Sequence, residues 1–213
     1  LEEGRELSTS GARPKREVIN YFAGLRYVEK NAAKKIIRQT DILELHRILA
    51  GEVMDQGEAG KYRMMAVRVG QYLPPPPDAV SGLMFELLEW WNSAAKKLSP
   101  VLSSAILHYR FEAIHPFADG NGRTARVLAS LAMYRGGYTR PQFTSLEEWW
   151  GAHVPDYYGA FECLGARWDP HAVVTPFVLA HVGAQVTQVE ALSLRHATER
   201  AIWTVLEDAA TED

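Results

Sequence analysis

The stretch His115-Pro116-Phe117-Ala118-Asp119-Gly120-Asn121-Gly122-Arg123-Thr124-Ala125-Arg126 decides the reading of this chain, because an apolar helical pattern runs up to it and a second one leaves it. On the near side Leu102, Ala105, Ile106, Tyr109 and Ala113 recur at helical spacing. Pro116 lacks an N–H and biases His115 away from the α region, so a helix should stop at His115. On the far side Ala125, Leu128, Ala129 and Ala132 start a second pattern that runs into Gly136-Gly137, a C-terminal stop. The motif is a helix-loop-helix.

The loop is rich in chemistry for its length. Gly120 and Gly122 flank Asn121, which lets the backbone turn its N–H groups into a concave anion nest. The next helix starts there, and its first turn offers unpaired donors and a partial positive charge to a phosphate. Arg123 and Arg126 are three apart and share a face that leans back toward that turn. Asp119 beside the same anion is repulsive unless a divalent cation lies between them, as Mg²⁺ does on a nucleotide. His115 supplies a general base. Taken singly, Gly-Asn-Gly is an ordinary turn, two arginines a solvated face and His-Pro a helix end. Their order in one uninterrupted run at a helix start points to a phosphate site.

These residues resemble the signature of Fic-domain proteins of the Fic/Doc family, His-Pro-Phe-x-(Asp/Glu)-Gly-Asn-Gly-Arg-x-x-Arg, with every specified position matched. Gly60-Lys61-Tyr62-Arg63, the run Pro74 to Pro77 and the segment His108 to His115 are similar to family segments as well. The resemblance covers most of residues 1 to 190. It implies a mostly α fold, a Fic-type helical domain with a short β-hairpin flap, and a protein adenylyltransferase that moves AMP from ATP to a Ser, Thr or Tyr hydroxyl with ATP as co-substrate and Mg²⁺ as cofactor. By that analogy His115 takes the hydroxyl proton, and Asp119 holds Mg²⁺ across the α- and β-phosphates. Gly120, Asn121 and Gly122 cradle the phosphates. Arg123 and Arg126 neutralise the β- and γ-phosphates, with Arg126 fixing the γ-phosphate.

Further family features fall elsewhere in the chain. Glu3-Gly4 resembles the end of the inhibitory helix pattern (Ser/Thr)-x-x-x-Glu-(Gly/Asn), which makes Glu3 an inhibitory residue expected to pair with Arg126. In some relatives that glutamate also supports removal of AMP. Residues 60 to 73 break the helical style, and within them Gly60 to Gly70, bounded by glycines and ending in β-branched residues that alternate with Arg68, suits the hairpin flap. There Met64, Met65 and Ala66 would meet the target protein along a strand edge. Asp156-Tyr157-Tyr158 resembles a family Tyr-Tyr pair, with Tyr158 as the adenine-facing candidate.

Composition fits this picture. A chain of 213 residues, 47% hydrophobic and 23% charged, suffices for one globular core. Its formal net charge of −3 and lack of basic runs argue against nucleic-acid or membrane partners. The lone Cys163 suits a reducing, cytoplasmic setting, and no span of membrane length is visible. Self-modification and homodimerisation stay open. Residues 1–14 read as an N-terminal segment with a loop from Ser8 to Pro14, and 15–213 as the Fic-type domain with its C-terminal helices.

The remaining elements are helical. Val18, Phe22, Leu25 and Val28 share one face of a helix from Lys15 to Lys30, and an Asp41-x-x-Glu44 box opens the next, where His46 reads as a packed core residue. Pro74 to Pro77 form a stiff spacer before a long helix that carries Trp91. Thr144 to Glu148 resemble a capping box for a helix bearing Trp149 and Trp150, and Thr175-Pro176 open a helix that runs to about Glu207. His108, Glu112 and His115 at i, i+4 and i+7 would suit a zinc hydrolase, but this leaves the glycines and arginines unused. A family phosphotransferase, whose nest departs from these glycines, and a non-catalytic nucleotide-binding module are the functions that compete with AMP transfer.

Overall fold

A computed structural model describes residues 3–140 and 146–211, with the side chains of residues 3–11, 147, 148, 205, 206 and 208–211 outside the description. The helices are α1 (Glu3–Asn31), α2 (Gln39–Ala50), α3 (Pro77–Asn92), α4 (Pro100–Ile114), α5 (Asn121–Arg135), α6 (Glu147–Ala152), α7 (Val154–Ala160) and α8 (Thr175–Thr211), with short 3₁₀ turns at Ala94–Lys97 and Glu162–Leu164. The mostly α fold expected from the sequence is present.

The α4/α5 pair forms the centre, wrapped by α1, α2, α3 and α8. Helix α4 is buried on several faces, Ser103, Ser104 and His108 included, because it lies between the main core and a second cluster built by α8. Ser104 is accommodated by a hydrogen bond: its Oγ donates to the Ala129 carbonyl at 3.0 Å. Leu107, Phe111 and Ile114 of α4 pack with Val127, Leu128 and Leu131 of α5, Leu45 and Leu49 of α2, and Met84 and Trp91 of α3. Phe117, the motif's own apolar residue, is fully buried in this core, a stabilisation of about 1.5–3 kcal/mol that ties the loop to the fold.

Local differences from the sequence reading have physical causes. Helix α1 continues through Pro14, where a loop was expected; Arg13, next to it, is anchored to Asp55 Oδ2 at 2.9 Å and to Glu17 Oε1 at 3.5 Å. Only the C-terminal part of the α1 apolar face is covered: Val28 is buried, whereas Val18 and Phe22 are exposed. Helix α2 starts two residues earlier than its acidic box suggested. Asp41 stands at the third helical position and accepts the Arg38 N–H at 2.8 Å.

Among the described residues the 60–73 segment has only isolated bridges, Val69 to Tyr72 antiparallel and Leu73 to Arg167 parallel, where a short β-hairpin was expected. Residues 64–68 make no backbone-to-backbone hydrogen bond among the described residues. The segment is held by the Arg63 side chain, by the Tyr72 hydroxyl on the Ala113 carbonyl at 2.7 Å and by backbone bonds of Leu73 with Ala166 and Trp168. The expected capping box at Thr144-Ser145 lies outside the described residues.

Candidate active site

The loop between α4 and α5 is shaped by four separate fasteners. His115 ends α4 in the left-handed region at φ 49°, and its N–H still donates to the Phe111 carbonyl at 2.9 Å. A histidine at positive φ is uncommon and needs support from its surroundings. That support comes from Arg63, which is buried and donates from Nε to the His115 carbonyl at 2.7 Å and from Nη2 to the carbonyls of Ile114 at 3.3 Å and Pro75 at 2.6 Å. The Arg63 N–H adds a bond to the Pro116 carbonyl at 2.9 Å. One guanidinium thus caps α4 and fastens the extended segment to it, and burial lowers its pKa.

His46 of α2 fastens the other end of the loop. Gly60 N–H donates to its Nδ1 at 2.8 Å, so the ring proton is on Nε2, which donates to the Asp119 carbonyl at 2.9 Å. The ring stacks on Phe117 at 3.6 Å and 4°. Burial pushes its pKa down to about 4, partly offset by the bond to the Asp119 carbonyl, and keeps it neutral. It is a core histidine, as the sequence indicated.

The last two fasteners belong to the loop itself. Asn121 grips Phe117 at both backbone groups: the Phe117 N–H donates to Oδ1 and Nδ2 donates to the Phe117 carbonyl, each at 2.9 Å. Its side chain is consumed by this clamp, which leaves only its backbone to face an anion. Gly120 caps α5 at φ 80°, a conformation glycine adopts without penalty. Gly122 is helical instead, and its need for glycine is space. A Cβ there would lie 3.3 Å from Arg126 Nη1, 3.7 Å from Glu112 Oε1 and 3.9 Å from the Tyr157 hydroxyl.

These residues open on a cavity of about 480 Å³ lined by Glu112, His115, Asp119, Gly120, Gly122, Arg123 and Arg126 together with Tyr157, Tyr158, Phe161 and Glu162. The Arg126 guanidinium lies 5.6 Å from the ring centre of Tyr157, a buried residue whose hydroxyl meets His108 Nε2 at 3.2 Å. Tyr158 is 66% exposed and stands at the rim. Asp119 Oδ2 accepts the Asp55 N–H at 3.0 Å, and Oδ1 accepts the Gly120 N–H at 2.5 Å and approaches Arg123 Nη2 at 3.3 Å. Glu112 Oε2 lies 3.4 Å from His115 Nδ1.

One carboxylate on a glycine-flanked loop beside two arginines fits a cation held jointly with phosphate oxygens, the usual mode for Mg²⁺. Among the described residues no three His, Cys, Asp or Glu side chains converge on a metal position, so a zinc hydrolase has no site there. His108 is instead packed among Tyr157, Phe161, Phe177 and His181. His115, Asp119, Gly120, Asn121, Gly122, Arg123, Arg126 and Tyr158 are therefore brought together around one loop and cavity. Met64, 89% exposed, with Met65 and Ala66, belongs to the extended segment held by Arg63. Glu3 is in the first turn of α1, and its side chain lies outside the described residues. Arg63 and Tyr157 gave weak sequence signals, one within Gly60 to Arg63 and the other within the tyrosine pair.

Residues 36–133 match the Fic/DOC family. The chain carries a Fic domain. It is 37% identical over 142 residues to the protein adenylyltransferase fic-1 of Caenorhabditis elegans, an alignment that takes in 65% of this chain and 28% of that protein. With the protein adenylyltransferase Fic of Drosophila melanogaster it shares 40% identity over 124 residues, 57% of this chain and 25% of the other. Among solved structures, Fic-1 (residues 134–508) of C. elegans superposes with a TM-score of 0.69 at 29% identity, over 87% of this chain and 53% of that one. The chain thus spans about a quarter of the length of the curated relatives it matches. The family match ends at residue 133, so Tyr157, Tyr158, Phe161 and Glu162 of the cavity lie C-terminal to it. None of the described helices is long and apolar enough to cross a membrane.

Proposed function

We propose that the protein is an adenylyltransferase that transfers AMP from ATP to a hydroxyl side chain of a target protein. The observation that carries this reading is the placement of His115 in the same cavity as the α5 N-terminus, Arg123 and Arg126, with Tyr157, Tyr158 and Phe161 also in its lining. A nucleoside triphosphate matches such a cavity, since an aromatic wall receives a base and a helix start with two arginines receives a polyphosphate.

In this mechanism His115 removes the proton of the incoming hydroxyl as its oxygen attacks the α-phosphorus. The bond to the β-phosphate oxygen breaks and pyrophosphate leaves. Arg123 and Arg126 balance the charge that accumulates on the leaving group, and the backbone at Gly120, Asn121 and Gly122 faces the phosphates. Asp119 would hold Mg²⁺, which screens phosphate charge when bound. Such chemistry depends on positioning and charge neutralisation more than on covalent help from the protein.

Residues 64–68, which make no backbone-to-backbone hydrogen bond among the described residues, are the segment along which a target chain would lie, Met64, Met65 and Ala66 facing it. Glu3 would restrain the enzyme by pairing with Arg126, and Glu3→Gly should then raise transfer. Mass spectrometry of the protein and of candidate targets after incubation with ATP and Mg²⁺ tests the reaction. An added AMP that disappears in His115→Ala supports it, with a loss of about 10²–10⁴-fold from removal of a general base. An added phosphate, or no adduct on any target, argues for a phosphotransferase or a nucleotide-binding module.

A further inference from the structure

We propose that Glu112 is a positioning residue that fixes the tautomer of His115. The inference rests on the reading of His115 as a general base. A neutral imidazole can remove a proton only through the nitrogen that carries none, so the enzyme needs the ring proton held on the nitrogen that faces away from the substrate.

The geometry identifies that nitrogen. His115 Nδ1 is buried and Glu112 Oε2 lies 3.4 Å from it, one helical turn earlier on α4, with the two side chains only 16% and 11% exposed. Neither Nδ1 of His115 nor Oε1 of Glu112 makes a hydrogen bond among the described residues. A buried polar atom without a partner costs stability, and the carboxylate that lies nearest the unpartnered Nδ1, through Oε2, has its other oxygen unpartnered as well. A small side-chain rotation lets Nδ1–H donate to the carboxylate and satisfies both. The proton then stays on Nδ1, and the lone pair of Nε2 is available to the target hydroxyl.

The pair is also fixed on the far side. The left-handed backbone of His115, held by Arg63, sets the ring's origin at the helix end, where continued helical geometry would carry it to the next turn. This is the logic of an acid that orients a catalytic histidine without being protonated itself. Arg126 lies on the same side of the cavity: a Cβ at Gly122 would be 3.3 Å from Arg126 Nη1 and 3.7 Å from Glu112 Oε1. If Glu112 acted through Arg126, its loss would alter nucleotide binding; if it acts through His115, its loss alters turnover.

The experiment compares wild type, Glu112→Gln and Glu112→Ala. The ¹⁵N–¹H multiple-bond spectrum of the His115 ring at about pH 8, where an ordinary imidazole is neutral, reports the tautomer without any reaction. We expect Nδ1–H in the wild type and a shift toward Nε2–H in Glu112→Ala, with Glu112→Gln between them because its amide oxygen still accepts. Transfer of AMP should show kcat reduced by roughly 10- to 10³-fold with KM for ATP within about twofold, part of what a general base contributes. An Nε2–H wild type overturns the proposal, whether or not the variants fold. An unchanged tautomer in Glu112→Ala, or a loss confined to KM for ATP, overturns it as well. If the tautomer shifts as expected but no target is ever modified, the assignment of Glu112 stands and the adenylyltransferase reading fails.

Discussion

Glu17 Oε1 on α1 lies 3.3 Å from Nη1 of Arg123 on α5, across 106 residues of sequence. An arginine assigned to the phosphates is thus already paired with a carboxylate from the N-terminal helix. Arg13 bonds both Glu17 and Asp55, and the Asp55 N–H bonds Asp119. The same belt therefore touches both charged ends of the loop, Asp119 and Arg123.

Glu17 and a triphosphate would compete for Arg123. Both side chains are partly exposed, so the pair contributes about 0.2–1 kcal/mol. Glu17→Gln is expected to tighten ATP binding by about 1.5- to 5-fold, and the gain should shrink as salt screens the pair. Titration calorimetry at two salt concentrations measures it. Equal affinity in both proteins at low salt would show that Arg123 is not held back by Glu17.

The two glycines of the nest should fail differently when changed to alanine. At Gly120 the φ of 80° strains any side chain, and its Cβ would lie 3.1 Å from His46 Nε2 and 3.3 Å from the Ala50 Cβ, so Gly120→Ala should lower stability by about 1–3 kcal/mol. Gly122 is an ordinary helical position whose Cβ would press on the Arg126 guanidinium. Gly122→Ala should leave stability unchanged or raise it by up to about 1 kcal/mol while weakening nucleotide binding. Denaturant melts paired with nucleotide titrations separate the cases, and the same pattern in both variants contradicts the distinction.

The sequence displayed what is local. His-Pro stops α4, Gly120 caps α5, and the arginine spacing puts two cations at the helix start. It concealed what is distant. Arg63 reaches carbonyls more than 50 residues away, and Glu17 reaches Arg123 only because α1 crosses α5. Pro14 signalled a loop, yet the helix continues through it. The alternating pattern of residues 60–73 suggested paired strands, but alternation describes an extended chain equally well, and Arg63 supplies bonds that a sheet would otherwise provide.

Replacing Arg63 should therefore damage the site through the backbone. It is buried and satisfies several carbonyls at once, two of them at the α4 terminus. Arg63→Met keeps the apolar stem but leaves those acceptors unpaired, at a cost of roughly 3–5 kcal/mol. For a chain of this size that corresponds to a fall in Tm on the order of 10 °C. Calorimetry checks it, and a fall under about 2 °C would mean that the carbonyls find other partners.

Stability should also depend on pH through three buried histidines. Burial lowers the pKa of His46 and of His181 to about 4 and that of His108 well below the ordinary value, with the neighbouring His181 and Arg126 adding to the effect on His108. In the unfolded chain each titrates near 6.5, so between about pH 4 and 6.5 the unfolded state binds protons that the folded state does not. Stability must then rise with pH through this window and be lost as pH falls. Between about pH 7.5 and 5.5 each ring accounts for ~1.4 kcal/mol, or ~4 kcal/mol for the three. Asp41 and Glu44 have lowered pKa values and lose their contributions only at more acidic pH, so they add little to this slope. Urea unfolding at the two pH values gives the loss directly. His181→Leu should remove about one third of it, because that ring packs on Phe177, with Nδ1 lacking a hydrogen-bond partner among the described residues and Nε2 3.5 Å from Ser104 Oγ. A pH dependence of the same size in His181→Leu would show that His181 is already protonated in the folded protein.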